Sequence, residues 1–179
     1  MSCNCFKQIP TFEPYESFSQ RLEISKCKCN ARFVVSENKS RFEIEGCNVR
    51  EVDKYKVDNF LLQDKSQKKC DYFFSYHDNT ETTVCIFVEL KGIDIETAVL
   101  QIDNTIAFFE MQRYFEKFNR KKIVCAIVST GNPGNDATYR RLAKRLSTKY
   151  KMYTPIIERK KFEMRYNPKT NKFYGKGEK

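Results

Sequence analysis

Acidic residues stand at the ends of two apolar runs near the middle of the chain. Asp71 opens a run that is dense in aromatic residues, and Glu89 lies near the end of a second run that begins at Thr83. Aromatic and β-branched residues favour strands, and the polar residues 77–82 between the runs are typical of a turn. We therefore predict two neighbouring antiparallel strands that bring the Asp71 and Glu89 carboxylates close together.

Lys91 follows Glu89 by two positions, so alternation along a strand places both side chains on one face. Buried charges are costly unless they are paired, bind a metal or take part in chemistry. Two carboxylates suit Mg²⁺ or Mn²⁺, and a neighbouring lysine can position a water and offset charge on a phosphoryl group. The pattern indicates a metal-dependent phosphodiesterase centre; the alternative is a structural ion pair between Glu89 and Lys91.

These residues resemble the signature of the PD-(D/E)XK nucleases, the restriction-endonuclease-like superfamily. The similarity rests on Asp71, on Glu89-Leu90-Lys91 and on Gln101 in the helix predicted to follow. Cys70 stands where the name-giving proline would be, and Thr105 stands where one branch of the superfamily has a tyrosine.

The resemblance implies an α/β fold of the restriction-endonuclease-like type, with a mixed central sheet flanked by helices. It implies that Asp71, Glu89 and the Leu90 carbonyl bind Mg²⁺ or Mn²⁺ and that Lys91 is catalytic. Gln101 would then support the substrate or the lysine. Asp58 is the alternative metal ligand if Asp71 is misassigned.

The function implied by the resemblance is hydrolysis of DNA phosphodiester bonds by a magnesium-dependent endonuclease, in restriction, repair or phage defence. The alternative is a non-catalytic nucleic-acid-binding module, or an interaction protein, that retains the nuclease fold. Net charge favours a polyanionic partner in either case, because 33 Lys and Arg residues face 23 Asp and Glu residues and give a formal charge of +10.

A predicted helix over residues 137–150 carries a strongly basic face. Its outward-pointing residues are Arg140, Arg141, Lys144, Arg145 and Lys149. This face is a candidate track for nucleic-acid phosphates, and an ordinary solvated helix face is an equal alternative.

The length of 179 residues indicates one nuclease-like domain over residues 1–179. Within it we expect an N-terminal arm and helix over 1–30, a core over 31–150, and a C-terminal strand or hairpin with a frayed tail over 151–179. Membrane-spanning runs and a signal-peptide pattern are lacking in the sequence, so we expect a cytoplasmic protein and no membrane partner.

The eight cysteines include two Cys-x-Cys pairs near the N-terminus. The pairs comprise Cys3, Cys5, Cys27 and Cys29. Four thiolates could hold a structural Zn²⁺, but a single intervening residue is shorter than the usual metal-binding spacing. Independent reduced thiols are therefore the preferred interpretation.

Helical periodicity predicts a long helix over residues 95–118 with a second apolar patch off its core-facing stripe. The patch consists of Phe108, Met111, Tyr114 and Phe115. Cutting both strands of a duplex in concert generally needs two centres, so this patch favours a homodimer. The alternative is that the N-terminal region covers it. We also predict strands over 55–62 and 123–128, and a terminal hairpin over 160–174.

Overall fold

The computed structural model describes residues 4–77, 81–90, 94–131, 137–151 and 153–178. Among these residues the elements, in chain order, are α1 (Phe18–Ile24), β1 (Val34–Glu37), β2 (Ser40–Ile44), β3 (Val52–Lys56), β4 (Tyr72–His77), β5 (Thr82–Leu90), α2 (Ile95–Met111), β6 (Arg120–Ser129), α3 (Ala137–Lys149), β7 (Ile156–Lys161), β8 (Glu163–Asn167) and β9 (Lys172–Gly175). Short 3₁₀ turns are formed by Asn30–Phe33 and Tyr114–Lys117.

Two mixed sheets make up the β-structure. The main sheet has the order β3-β4-β5-β6-β7, with antiparallel pairing from β3 to β5 and parallel pairing from β5 to β7. The sequences of β5 and β6 fit this arrangement. Strands that are buried on both faces consist of nearly continuous runs of hydrophobic residues. Helices α2 and α3 supply the two crossovers. The general α/β class is therefore confirmed.

The two faces of the main sheet are covered differently. Alternating residues of β5 point to opposite sides, so that Cys85 and Phe87 face a core shared with the helices. Ile86 and Val88 face a second core, which is shared with the smaller sheet of order β1-β2-β8-β9. Thus helices cover one face and a second sheet covers the other, whereas helices were expected to flank the sheet. No helix in the described residues combines the length and apolar character needed to cross a membrane.

The predicted helix over 95–118 ends earlier than expected, at Met111. Arg113 adopts the left-handed conformation with φ of 56°, and a 3₁₀ turn follows. The predicted strand over 55–62 is also wrong in extent, because β3 ends at Lys56. The chain then folds back, with Asn59 at φ 57° and a hydrogen bond from the Leu61 amide to the Lys56 carbonyl.

The C-terminal region divides between the two sheets. Phe162, at φ 61°, separates β7 in the main sheet from β8 in the second sheet, so residues 160 and 161 of the predicted hairpin over 160–174 belong to β7 instead. The predicted hairpin is the antiparallel pair β8 and β9. In the tail that we expect to fray, the Glu178 carboxylate accepts a hydrogen bond from the Gly175 amide and pairs with Lys160 at 3.4 Å; the fraying itself stays a prediction.

Most of the apolar patch that suggested a homodimer is covered within the chain. Phe18 of α1 packs edge-on against Phe108 at 5.5 Å between ring centroids and against Tyr114 at 6.1 Å. Tyr114 and Phe115 are buried, whereas Met111 is 67% exposed. The N-terminal region therefore covers most of the patch, as in the alternative interpretation. The homodimer stays a prediction, and the apolar patch gives it no support.

Two α2 side chains give a matched test of this packing. Phe109 is fully buried, with ring centroids 4.8 Å from Phe73 and 5.3 Å from Phe87, and Met111 is exposed two residues later. We predict that Phe109→Ala lowers the free energy of unfolding by about 3–5 kcal/mol, because it leaves a cavity in the core. Met111→Ala should change it by less than about 0.5 kcal/mol. Urea unfolding measures both, and equal effects would contradict the assigned helix face.

Candidate functional site

Asp71 and Glu89 lie side by side at one edge of the main sheet. Tyr72 pairs with Val88 across β4 and β5, and the same register carried one residue further sets Asp71 opposite Glu89. The Asp71 Oδ2 atom accepts a hydrogen bond from the Leu90 amide at 2.8 Å. Asp71 is 4% exposed and Glu89 is fully buried. The structure thus brings together the two acids that the sequence singled out.

Both carboxylates point toward the helical side of the sheet. Asp71 alternates in step with Phe73, and Glu89 alternates in step with Phe87, and both phenylalanines belong to the core shared with the helices. The buried thiol of Cys70 responds to both acids. Its pKa is raised well above the usual value, first by burial and then by the charge of Glu89, with a smaller effect of Asp71.

The edge that carries the acids is also where three parallel strands end. We call it the carboxyl edge: β5, β6 and β7 end there, and the antiparallel β4 begins there. Helix α2 starts at this edge, with Asp94 as its N-cap residue, whose Oδ1 accepts from the Thr97 amide at 3.0 Å. In sheets with parallel strands, ligand sites commonly form at such an edge. Lys91 lies outside the described residues.

Three polar side chains of α2 hold the segment that precedes Asp71. The Gln101 Nε2 atom donates to the Lys69 carbonyl at 2.8 Å, and Asn104 Nδ2 donates to the Lys68 carbonyl at 3.2 Å. The Thr105 hydroxyl accepts from the Cys70 amide at 2.9 Å and donates to the Gln101 carbonyl at 2.8 Å. We call this group, Gln101, Asn104 and Thr105, the α2 clamp.

The α2 clamp gives Gln101 a contact other than the one expected from the resemblance. Its side-chain amide binds the backbone before Asp71, so in this structure it positions that acid. Asn104 and Thr105 were missed by the sequence reasoning. Polar residues at positions i, i+3 and i+4 share a helix face, and that spacing was the available signal.

Asp58, the alternative metal ligand, belongs to a neighbouring structural contact. Its Oδ1 atom lies 3.9 Å from the ammonium of Lys69, which is itself buried and donates to the carbonyl oxygens of Leu62 at 2.8 Å and of Asp64. Asp58 therefore helps to anchor the turn before β4. Asp71, with its direct bond to the β5 backbone, is the acid that accompanies Glu89.

A buried arginine lies in the same cross-strand row as Glu89. Glu89 pairs with Ile127 of β6, and Ile127 pairs with Arg159 of β7, so the three side chains share a face. Arg159 is 7% exposed, and its Nε atom donates to the Ser129 hydroxyl at 3.3 Å. Adjacent strands are about 4.8 Å apart, which puts the Arg159 backbone about 10 Å from that of Glu89.

Arg159 escaped the sequence reasoning because the predicted terminal hairpin began at residue 160 and residues 156–159 were assigned to no strand. Its signal was the apolar pair Ile156-Ile157 immediately before a run of charges, which is how a strand entering a buried sheet position can begin. The register of β7 on β6 buries Arg159, whereas the adjacent Lys160 is half-buried and Lys161 is exposed.

The basic face of α3 starts at the carboxyl edge and runs away from it. Arg140, Arg141, Lys144 and Arg145 are exposed. Lys149 instead pairs with Asp103 of α2 at 2.6 Å, and the Tyr150 hydroxyl donates to the same carboxylate oxygen at 2.6 Å. Lys149 is also about 12 Å further along the helix axis than Arg141. Arg140 and Arg141 are therefore the basic residues of this face nearest the acids.

The donor set at the carboxyl edge fits a hard divalent cation. Asp71 and Glu89 offer carboxylate oxygens, and Leu90 ends the strand with a backbone carbonyl; oxygen ligands of this kind suit Mg²⁺ and Mn²⁺. Two buried carboxylates on adjacent strands repel each other, and a cation between them offsets that repulsion. Thiolate and imidazole ligands, which softer metals prefer, are not part of this set.

No protein-family model, curated protein or solved structure matches this chain. The geometry of the carboxyl edge is therefore the observation that bears on its function. That geometry consists of two buried acids at a strand edge, the α2 clamp that fixes one of them, and a buried arginine in the same row.

Two threonines test the α2 clamp. Thr105 and Thr148 both donate to the carbonyl four residues earlier in a helix, but only Thr105 also accepts a bond from a buried amide. We predict that Thr105→Val costs about 1–3 kcal/mol of unfolding free energy, because the Cys70 amide is left buried without its acceptor. Thr148→Val, on the exposed side of α3, should cost less than about 0.5 kcal/mol. Similar losses in urea unfolding would show that the clamp does not hold this segment.

Proposed function

We propose that this protein is a metal-dependent nuclease that hydrolyses DNA phosphodiester bonds and has a restriction-endonuclease-like fold. The observation that carries the proposal is the buried pair of Asp71 and Glu89 at the carboxyl edge, joined through the Leu90 amide. A pair of acids at such a position has a chemical use in binding divalent cations.

The strand arrangement supports the proposed fold. The antiparallel series β3-β4-β5 is followed by α2 and then by the parallel strand β6. The first acid precedes β4, the second lies near the end of β5, and the clamp glutamine is on the next helix. This is the layout implied by the resemblance to the PD-(D/E)XK nucleases. The second sheet, which covers one face of the main sheet, is an addition to that layout.

The residues of the chain divide the work at the site. Asp71, Glu89 and the Leu90 carbonyl would hold Mg²⁺ or Mn²⁺, which when bound stabilises charge on a phosphoryl oxygen and acidifies a bound water. The Leu90 amide and the α2 clamp fix the direction of the Asp71 carboxylate. Lys91, assigned from the sequence, would position or deprotonate the attacking water.

Arg159 adds a guanidinium on the face that carries Glu89. A guanidinium binds phosphate oxygens through paired hydrogen bonds in a planar geometry. Its hydrogen bond to Ser129, the last residue of β6 at the carboxyl edge, restricts the directions in which the guanidinium can point. We assign it to binding the phosphate next to the scissile bond.

DNA is the proposed substrate because the charge is distributed to attract a polyanion. The net charge is +10, and the exposed arginines of α3 begin at the edge that carries the acids. Basic side chains that contact phosphates supply most of the sequence-independent binding energy.

One observation favours the second candidate, a nucleic-acid-binding module without catalysis. Glu89 is fully buried, and a metal ligand must be reachable by the ion and by its substrate. If the acids are purely structural, DNA binding should persist without metal-dependent cleavage. The experiment below separates the two functions.

We predict that Asp71→Asn and Glu89→Gln each reduce cleavage by at least about 100-fold, because an amide is a poorer cation ligand than a carboxylate. Lys91→Met should also lose cleavage while retaining DNA binding. Plasmid and single-stranded DNA with Mg²⁺, Mn²⁺ or EDTA are the substrates. The control is Glu116→Gln, an exposed acid paired with Arg113, which should cleave like the wild type.

Cleavage that is equal in the wild type and the three site variants would refute the catalytic assignment. Salt-dependent DNA binding by a wild-type protein that cuts no substrate with either metal would support the binding module instead.

We predict that the exposed Arg141 and Lys144 of α3 contribute to DNA binding and that Lys149 does not. Arg141→Gln combined with Lys144→Gln should lower the slope of log K against log salt for DNA binding by about 2, one for each lost phosphate contact. Lys149→Gln should leave this slope unchanged and cost at most about 1 kcal/mol of stability, because Lys149 is engaged by Asp103. Fluorescence anisotropy over a salt series measures the slopes. A larger slope change in the Lys149 variant would contradict the assigned face.

A further inference from the structure

Three cysteine thiols converge in the N-terminal region, far from the acids in sequence. The Sγ atoms of Cys5, Cys27 and Cys29 lie within 4.8 Å of one another, and those of Cys27 and Cys29 are 3.4 Å apart. In a tetrahedral site with Zn–S bonds of about 2.3 Å, neighbouring sulfur atoms are about 3.8 Å apart. The three sulfur atoms are therefore spaced much like one face of a zinc tetrahedron.

Contacts outside the cluster hold two of these cysteines in place. The Cys27 amide donates to the Lys54 carbonyl at 2.8 Å. The neighbouring Lys26 forms an isolated antiparallel β-bridge with Tyr55, so the backbone of this segment is attached to β3. The Cys29 carbonyl accepts from the guanidinium of Arg32 at 3.3 Å. These bonds attach the backbone at both cysteines to neighbouring parts of the protein.

The third cysteine arrives on a separate segment. Phe6, next to Cys5, packs against Phe60 with ring centroids 5.1 Å apart and against Tyr72 at 6.4 Å. These contacts bring the arm onto the face of the main sheet that the second sheet also covers. Two distant stretches of chain thus deliver thiols to one place, which is the usual construction of a structural metal site.

A buried cation on the strand that holds Cys27 is compatible with a negatively charged centre. Lys54, whose carbonyl binds the Cys27 amide, is fully buried, and its ammonium donates to the carbonyl oxygens of Ala31 at 2.7 Å and Val34 at 3.0 Å. The same ammonium lies 5.7 Å from the centroid of the Phe6 ring. Zn²⁺ with three thiolates carries a net charge of −1, which offsets a buried ammonium, whereas three neutral thiols do not.

We propose that Cys5, Cys27 and Cys29 bind a structural Zn²⁺ ion that fastens the N-terminal arm to the edge strand β3. Soft thiolate ligands select zinc over the hard cations that suit the carboxyl edge, so the two sites take different metals. Cys3 lies outside the described residues, and the proposal rests on the three described thiols. It is independent of the proposed nuclease activity.

The first test is the zinc content of protein purified under reducing conditions and dialysed against zinc-free buffer. Wild type should retain about one zinc ion per chain, and the Cys5→Ser/Cys27→Ser double variant should lose it. Cys47→Ser is the matched control, because Cys47 is a half-buried thiol that donates to the Glu45 carbonyl outside the cluster. Glu89→Gln should retain zinc, which separates this site from the acids.

A second measurement keeps the proposal testable if the double variant fails to fold. Co²⁺ added to metal-free wild type should produce the intense near-ultraviolet thiolate charge-transfer band and the strong visible bands of a tetrahedral site, saturating at about one ion per chain. Zinc removal should also lower the melting temperature and expose the arm to protease.

Three results would overturn the proposal. They are a wild type that loses its zinc on dialysis, a double variant that retains as much zinc as wild type, and a cobalt spectrum that lacks thiolate bands.

Discussion

The hydrogen bond from the Leu90 amide to the Asp71 carboxylate is the contact on which the site depends. It joins the residue before β4 to the last residue of β5 at 2.8 Å, and it is buried. Because the acceptor is a charged side chain, the carboxylate direction is fixed by the backbone of the neighbouring strand rather than by a mobile partner. The relative placement of Asp71 and Glu89 therefore follows from the register of two strands.

That register is maintained from two directions. The aromatic residues of β4 and β5 interlock with α2 on one face, with Phe73 and Phe87 both packed against Phe109. On the other face, Phe42 of the second sheet packs against Phe74 at 5.6 Å. A slip of one residue along β4 would turn Phe73 and Phe74 to the wrong faces of the sheet. The geometry of the acids is thus tied to the packing of both cores.

Much of this arrangement could be predicted from the sequence, for local reasons. Aromatic and β-branched residues identified β4 and β5, and an apolar run after a helical pattern identified the strand over 123–128, which lies within β6. The proximity of Asp71 and Glu89 then followed from a short turn. Each of these inferences uses residues that are close in sequence, where propensity and periodicity are informative.

The features that could not be predicted depend on tertiary contacts. Arg113 and Phe162 adopt left-handed conformations in stretches without glycine or proline, so nothing local marks the end of α2 or the break between β7 and β8. Burial of Tyr114 against Phe18 and Phe73, and of Phe115 against Phe87, competes with continuation of the helix and wins. Arg159 reaches its buried position only through the register of β7 on β6.

The parallel pairing of β2 with β8 has a consequence for the order of folding. Arg165 of β8 meets Glu45, which is 120 positions earlier in the chain, and the β2 strand has no parallel neighbour until β8 is present. During synthesis the hairpin of β1 and β2 must wait for almost all of the main sheet, and an isolated hairpin is at best marginally stable. Meanwhile the apolar side chains of β5 that face the second sheet stay open to water. Pairing over so long a separation slows folding. The second core closes only when β8 and β9 have been added, and until then an aggregation-prone surface stays exposed.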